Sequence, residues 1–326
     1  MLYIKNNSLD PHYNLAFEEY IFSSVVSDES ILILWQNEPA VIIGNYQNTL
    51  EEINADYIRK NNIHVVRRMT GGGAVYHDLG NLNYSLIVPV SNLEFDFKTF
   101  TAPLVETLKN IGIDAEQTGR NDVTIDGKKF SGNAQHHAKG RLLHHGTILF
   151  DADLDHVSEA LNVRVAKIQS KSTKSVRSRV TNITPYLREP LTLDAFRSLL
   201  VNHFNEREPL TEYHLTPADL RNIDVLTDEK YRQWDWNYGR SPACNMIKSG
   251  HFTCGFIDFN MDIKNHIIAD MHIFGDFFCS RNLDEFTAAF IGIPYERAAI
   301  EKALLSIDSS SFFQGIKNDE ILDILL

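Results

Sequence analysis

Apolar positions in the chain fall into short blocks, and each block's spacing predicts an element. Asp10 followed by Pro11 reads as the cap and first turn of a helix running to about Phe22. Ser30–Trp35 and Ala40–Gly44 are apolar and β-branched enough to be paired strands. Leu50–Asn62 reads as a helix and His64–Met69 as a strand; a glycine loop follows, and Asn83–Val90 returns as a strand. Helical periodicity marks Lys98–Ile111, while Val123–Ile125 and Lys129–Ser131 flank Asp126-Gly127, a tight hairpin turn. Leu143–Phe150 is another strand, Leu154–Leu161 a short helix, and Phe196–Phe204 part of a longer helix capped near Thr192.

Strands and helices mix without regular βαβ alternation, so the expected class is α+β with a mixed or largely antiparallel sheet. A boundary near residue 245 divides the chain into a large unit, 1–245, and a small α+β C-terminal unit, 246–326. In the small unit, Phe252–Asn260 and His266–Phe274 read as two strands, followed by helices around Leu283–Ile291, Tyr295–Ile307 and Asp319–Leu326.

Composition narrows the function classes. Of 326 residues, 43% are hydrophobic and 23% charged, ordinary values for a soluble globular protein. Apolar runs such as Ile31–Trp35 are strand-sized and too short to cross a bilayer. The start, MLYIKNNSLDPH, has no basic stretch leading into an apolar one, so a cytoplasmic protein without a signal peptide is expected. A net charge of −12 disfavours nonspecific nucleic-acid binding, so an anionic ligand needs a local cluster of cations. Cys244, Cys254 and Cys279 form no CxxC pair, which argues against a disulfide framework or zinc ribbon.

The densest chemistry lies in RRMTGGGAVYHDLGN, Arg67 to Asn81. Three glycines after a strand let the backbone come close to a ligand, and their N–H groups can form a nest for phosphate or carboxylate oxygens. Strand alternation turns Arg67 and Arg68 to opposite faces, so one of them faces the ligand. The loop is neither GxGxxG nor GxxxxGK[ST]. A bare GGG would fit a hairpin loop with solvated arginines equally well, but the full stretch, with His77, Asp78 and Asn81, is far more specific. Further on, Ala160–Arg188 contains no acid and carries Arg164, Lys167, Lys171, Lys174, Arg177, Arg179 and Arg188.

This loop resembles the signature of the lipoate–protein ligase family, RR-S/T-GGGAV-F/Y-HD-x-GN, with Met69 inserted before Thr70. NLAFEEY (Asn14–Tyr20), PAVIIGNYQN (Pro39–Asn48), GRNDVTIDGKKFSGNAQ (Gly119–Gln135), HHGTILFD (His144–Asp151), KSVRSRVTNI (Lys174–Ile183) and WDWNYG (Trp234–Gly239) resemble it in the same order. The resemblance implies a catalytic domain of the biotin/lipoate protein ligase type with a small accessory domain. It also implies activation of lipoate by ATP and Mg²⁺ to an acyl-adenylate, then transfer to a lysine of the lipoyl domains of 2-oxoacid dehydrogenase E2 subunits or of the glycine cleavage H protein. The enzyme would act as a monomer, without nucleic acid or membrane.

By that resemblance Lys129 contacts the acyl carbonyl and the phosphate, while Lys128 leaves the opposite strand face. Arg68 joins it as a catalytic cation. Arg68, Gly71, Gly72, Gly73, Ala74, Val75, Tyr76 and His77 form the nucleotide-contacting stretch, with Arg67 free to pair with an acid and brace the loop. Lys174, Arg177 and Arg179 belong to a loop that closes over the adenylate, and His145 lines the lipoyl site. Asp122 is the candidate Mg²⁺ carboxylate, with capping of the hairpin as the equal alternative. His136-His137 and His144-His145 lack a cysteine or carboxylate at ligand spacing, so no metal site is expected there. Trp234, Trp236 and Tyr238 read as a packing anchor between domains.

Two other readings compete. A lipoyl or octanoyl transferase of the same superfamily works through a cysteine thioester, and this chain has no cysteine before Cys244. A noncatalytic lipoate-binding protein on the same fold would be expected to lose Lys129 or the glycine loop, and both are intact.

Overall fold

The computed structural model describes residues 1–89, 96–119, 121–161, 179–239, 244–279 and 281–326. Among them β1 (Leu2–Lys5), β2 (Ile31–Trp35), β6 (Asn81–Pro89), β7 (Ala115–Thr118), β8 (Asp122–Ile125), β9 (Lys128–Ala138), β10 (Arg141–Leu149) and β11 (Thr211–Glu212) form one sheet. Their order is β11-β1-β2-β6-β10-β9-β8-β7. β1 runs parallel to β11 and β2, and every other pair is antiparallel. A second sheet has β3 (Ala40–Ile43) between β4 (His64–Arg67), parallel, and β5 (Val75–His77), antiparallel.

β2 explains why ILILW is apolar without alternation. Leu32 and Leu34 face a core shared with Leu104, Leu108, Phe196 and Leu200, from the helices Lys98–Asn110 and Leu193–Arg207. Ile31, Ile33 and Trp35 face a second core with Leu15, Phe17 and Ile21 of helix α1 (Pro11–Ser24) and Val66 of β4. A strand covered on both faces needs apolar residues at every position. The expected pairing of the blocks at 30–35 and 40–44 does not occur. β2 is taken on both edges by β1 and β6, and Gln36–Pro39 carries the chain into the other sheet.

Capping shapes several ends. Asp10 accepts from the His12 N–H with Pro11 in the first turn, and Thr192 accepts from the Ala195 N–H. The block at 50–62 is not one helix but two, Thr49–Glu52 and Ala55–Lys60. Ile53 between them is extended and bridges to Leu161, and Asn54 caps the second helix by accepting from Tyr57. Asp126 and Gly127, with φ of 50° and 71°, make the tight turn between β8 and β9.

The C-terminal region has three strands rather than two: β12 (Met246–Phe252), β13 (Gly255–Lys264) and β14 (Ile267–Gly275) form an antiparallel meander. The turn before Gly255, at φ 130°, splits the apolar run that reads as a single strand in the sequence. Helices Leu283–Ala288, Arg297–Leu305 and Asn318–Leu325 pack on this meander around Phe259, Phe286, Phe290 and Phe313. Among the described residues no helix is long and apolar enough to cross a membrane.

Candidate active site

On β6 the period of two separates two chemistries: Leu82, Tyr84 and Leu86 enter the helix-covered core, while Asn81, Asn83 and Ser85 are buried on the other face. That polar face, with β9 and β10, forms one side of a cavity of about 120 Å³. Its lining includes Leu15, Trp35, Ile42, Val75 and Ala134 as apolar wall, and Arg68, His77, Asn83, Asn121, Lys129, Asn133 and His145 as polar groups.

The two loop arginines do point apart, and both are buried. Arg67 Nη1 donates to the carbonyls of Gly44, Asn45 and Gln47, its Nε to that of Trp236, and its Nη2 to the Thr49 hydroxyl. Arg68 lines the cavity, yet it donates to Thr70 Oγ1 at 2.9 Å and to the carbonyls of Ile42, Gly71 and Gly73 at 3.2, 2.7 and 2.9 Å. Burial lowers its pKa to about 10, with Glu18 opposing the shift. Arg68 therefore braces the loop from inside.

The glycines divide in the same way. A Cβ on Gly71 would lie 2.2 Å from the Phe277 carbonyl oxygen, and one on Gly72 would meet Arg68 Nη2 at 3.1 Å and the Phe278 ring at 3.3 Å. Gly72 has φ 90° and donates its N–H to the Phe277 carbonyl. These two glycines thus answer to the protein's own C-terminal segment. Among the described residues the N–H groups of Gly73 and Ala74 donate to no protein acceptor, and both residues line the cavity. The expected nest is reduced to this pair. Tyr76, also expected at the nucleotide, is buried against the ring of His156, its hydroxyl pKa raised by burial.

Lys129 lines the same cavity. Its Nζ lies 2.7 Å from Asp122 Oδ1, and its stem passes over Gly132, where a Cβ would come within 2.7 Å of both Cε and Nζ. Its backbone bonds Arg179 and Thr181, so Arg179 of the basic segment reaches the edge of this strand. Lys128 is exposed on the other side of the hairpin. Lys174 and Arg177 lie outside the described residues.

His145 Nδ1 donates to Glu18 at 2.9 and 3.0 Å, and its Nε2 is 2.8 Å from the Thr70 hydroxyl, which also accepts from Arg68. Ser85 donates to the same Glu18 carboxylate and accepts from Trp35 Nε1. This relay ties helix α1, the sheet and the glycine loop together. The only signal for Glu18 in the sequence is its place four residues after Asn14 in an apolar helix, a spacing that suits buried polar contacts. His144 is buried and His136 half-buried, and desolvation lowers both pKa values, that of His136 to about 4. Among the described residues no group of three or more His, Cys, Asp or Glu could hold a metal. Trp236 donates to the Arg67 carbonyl and lies beneath Lys230 Nζ, while Trp234 is exposed and stacked on Tyr238.

Comparison with known proteins points the same way. Residues 10–205 match the lipoyl protein ligase A/B catalytic domain, and residues 241–325 match the bacterial lipoate protein ligase C-terminus. A lipoate-protein ligase of Bacillus subtilis is 44% identical over 330 residues, covering 100% of both chains. Lipoate–protein ligase 1 of Staphylococcus aureus is 42% identical over 327 residues, again 100% of both. The crystal structure of Plasmodium falciparum LipL1 in complex with lipoate superposes with a TM-score of 0.79 at 26% identity, covering 99% of this chain and 97% of that one. A lipoate-protein ligase A bound with ATP gives a TM-score of 0.63 at 31% identity over 73% of this chain and 97% of that one. With its catalytic-domain match and relatives that share its whole length, this α+β chain belongs to the lipoate–protein ligase family.

Proposed function

We propose that this chain joins lipoate to ATP as lipoyl-adenylate and passes the lipoyl group to a lysine of an acceptor protein. One observation carries the reading: one cavity brings together an apolar wall of Leu15, Trp35, Ile42, Val75 and Ala134, a lysine at Lys129, and two backbone donors at Gly73 and Ala74. The Lys129 ammonium would neutralise the attacking carboxylate and the α-phosphate, then polarise the adenylate carbonyl when the acceptor lysine attacks. The Gly73 and Ala74 N–H groups would hold phosphate oxygens, and Arg68 would act by keeping that loop rigid. Asp122 pairs with Lys129 and offers a carboxylate that could hold Mg²⁺, an ion that takes few protein ligands. Arg179, with Lys174 and Arg177, would supply the cations that cover the adenylate.

Family membership and the likeness to an archaeal bi-partite lipoate protein ligase described with its E2 lipoyl domain support E2 lipoyl domains as acceptors; the glycine cleavage H protein is the second class we propose. We further take residues 1–245 as the catalytic unit and 246–326 as the accessory one, in a cytoplasmic monomer. The cysteines fit this chemistry. Cys254 is buried in the C-terminal core, and burial raises the Cys279 thiol to about 11, unlike a nucleophile.

The test incubates the protein with ATP, Mg²⁺, lipoate and an unmodified lipoyl domain. The expected result is a lipoyl mass increment on the domain, AMP release, and lipoate-dependent exchange of pyrophosphate into ATP. Lipoyl transfer from a donor protein without ATP would overturn the reading in favour of a transferase.

A further inference from the structure

Two buried N–H donors in the cavity have no partner among the described residues. His77 is 3% exposed and Asn83 1%, both line the cavity, and among the described residues His77 Nε2 and Asn83 Nδ2 bond to nothing. A buried donor left unsatisfied is costly, so such atoms mark a place where a ligand acceptor belongs.

A chain of amides fixes which atom of His77 carries the proton. Asn14 Nδ2 faces the carbonyls of Ser8 and Gln36, so its amide orientation is set, and it donates to Asn37 Oδ1 at 2.8 Å. Asn37 must then present Nδ2 to His77 Nδ1, 3.0 Å away, as a donor. His77 Nδ1 accepts, and in the neutral ring Nε2 carries the hydrogen. Burial, reinforced by Arg68 and His145, holds this ring's pKa at about 3. Asn83 Oδ1 accepts from Asn81 Nδ2 at 2.9 Å, which leaves its Nδ2 as the unmatched end.

Both donors flank Trp35. The Trp35 and His77 rings meet edge to face at 6.1 Å, and Asn83 is the cross-strand neighbour of Trp35. Around them stand Leu15, Ile42 and Val75. A neutral imidazole and an amide offer no net charge to a carboxylate, which Lys129 attracts instead. The far end of the acid is left for the Trp35 region.

We propose that His77 Nε2–H and Asn83 Nδ2–H donate to the two ring sulfurs of the lipoyl dithiolane, making them the residues that select a sulfur ring over a hydrocarbon of the same shape. The inference rests on the ligase reading. Disulfide sulfur is a weak acceptor, so the discrimination comes chiefly from what an alkyl tail fails to do: it leaves both donors buried and unpaired. Sites built to hydrogen-bond a substrate group reject analogues that lack it more strongly than apolar pockets reject a methylene.

The test measures kcat/KM for pyrophosphate release with lipoate and with 5-cyclopentylpentanoate, which replaces S–S by CH₂–CH₂ in a ring of the same size. The unmodified enzyme is expected to prefer lipoate by about tenfold or more. His77→Phe and Asn83→Leu, which keep bulk and remove the donor, should each cut that ratio by roughly three- to tenfold, with lipoate rates falling and carbocycle rates rising. An unchanged ratio in a variant that melts near the parent temperature, or no preference in the parent, overturns the proposal. Should either variant fail to fold, ¹⁵N-histidine spectra of the parent decide. The Nε2–H signal of His77 should shift with lipoate and not with the carbocycle, and equal responses would count against the contact. If neither acid supports pyrophosphate release in the parent, the ligase reading itself fails, a result distinct from loss of selectivity.

Discussion

Arg68 and Lys129 line the same cavity, but their charged ends are held in opposite ways. Arg68 is buried and spends its donors on one hydroxyl and three carbonyls, three of these four acceptors within the glycine loop. Lys129 is about a third exposed and, among the described residues, makes one ion pair, with a similarly accessible Asp122. Moving Arg68 towards a ligand would strand several buried carbonyls, each costly to leave unpaired. Moving Lys129 loses one solvent-screened ion pair, worth about 1 kcal/mol or less. The difference separates a wall formed at folding from a group able to exchange its partner for a substrate.

The strongest way to break this comparison is Lys129→Ala. It should lower both adenylate formation and transfer from ready-made lipoyl-adenylate by about 10²–10³-fold, the usual cost of losing a charge-stabilising donor. Lys128→Ala, on the exposed side of the hairpin, should change little. Near-normal rates for Lys129→Ala in both steps would refute its assignment.

Arg68→Met should act on the fold first, lowering unfolding free energy by about 2–4 kcal/mol in urea titrations because its buried acceptors lose their donor. A variant of normal stability with a raised KM for ATP would instead make Arg68 a ligand group. Gly132→Ala is the finer probe. The added methyl would overlap the end of the Lys129 side chain, which can move aside. Stability should hold while kcat falls by roughly tenfold, since small displacements of a catalytic group are costly. An unchanged kcat would mean that the lysine acts from another position.

The smallest effect is on pH. His77 and His136 have folded-state pKa values lowered to about 3 and 4, mainly by burial. The unfolded chain then binds more protons between about pH 6.5 and 4, so stability falls as pH drops through that window, by about 1 kcal/mol per unit for each ring. Urea midpoints at pH 7 and pH 5 measure it. A flat profile would show that these rings are already charged in the folded state.

Much of the site was legible in the sequence because its signals are local. Asp126-Gly127 predicts a turn from two residues, Asp10-Pro11 a helix start, and the 67–81 stretch a ligand loop, since backbone conformation is set within a few positions. The 50–62 block misled because its periodicity says nothing of Ile53, whose extended backbone is fixed by pairing with Leu161, far along the chain. The 30–35 and 40–44 blocks misled for the same reason: apolar strands close in sequence do not reveal which edges distant strands will take.

The glycine triplet shows most plainly where sequence stops and tertiary structure takes over. Sequence alone determined that this backbone must turn tightly and that cations flank it, because residue type limits φ and carries charge. Only the folded chain decided that Gly71 and Gly72 make room for Phe277 and Phe278 and that Gly72, Gly73 and Ala74 line the cavity. It also decided that Glu18, Thr70 and His145 form one relay and that, among the described residues, the His77 Nε2 proton is left unmatched. Which donors remain unpaired depends on what every other buried group has already bonded, and that is settled only when segments more than a hundred residues apart are packed together.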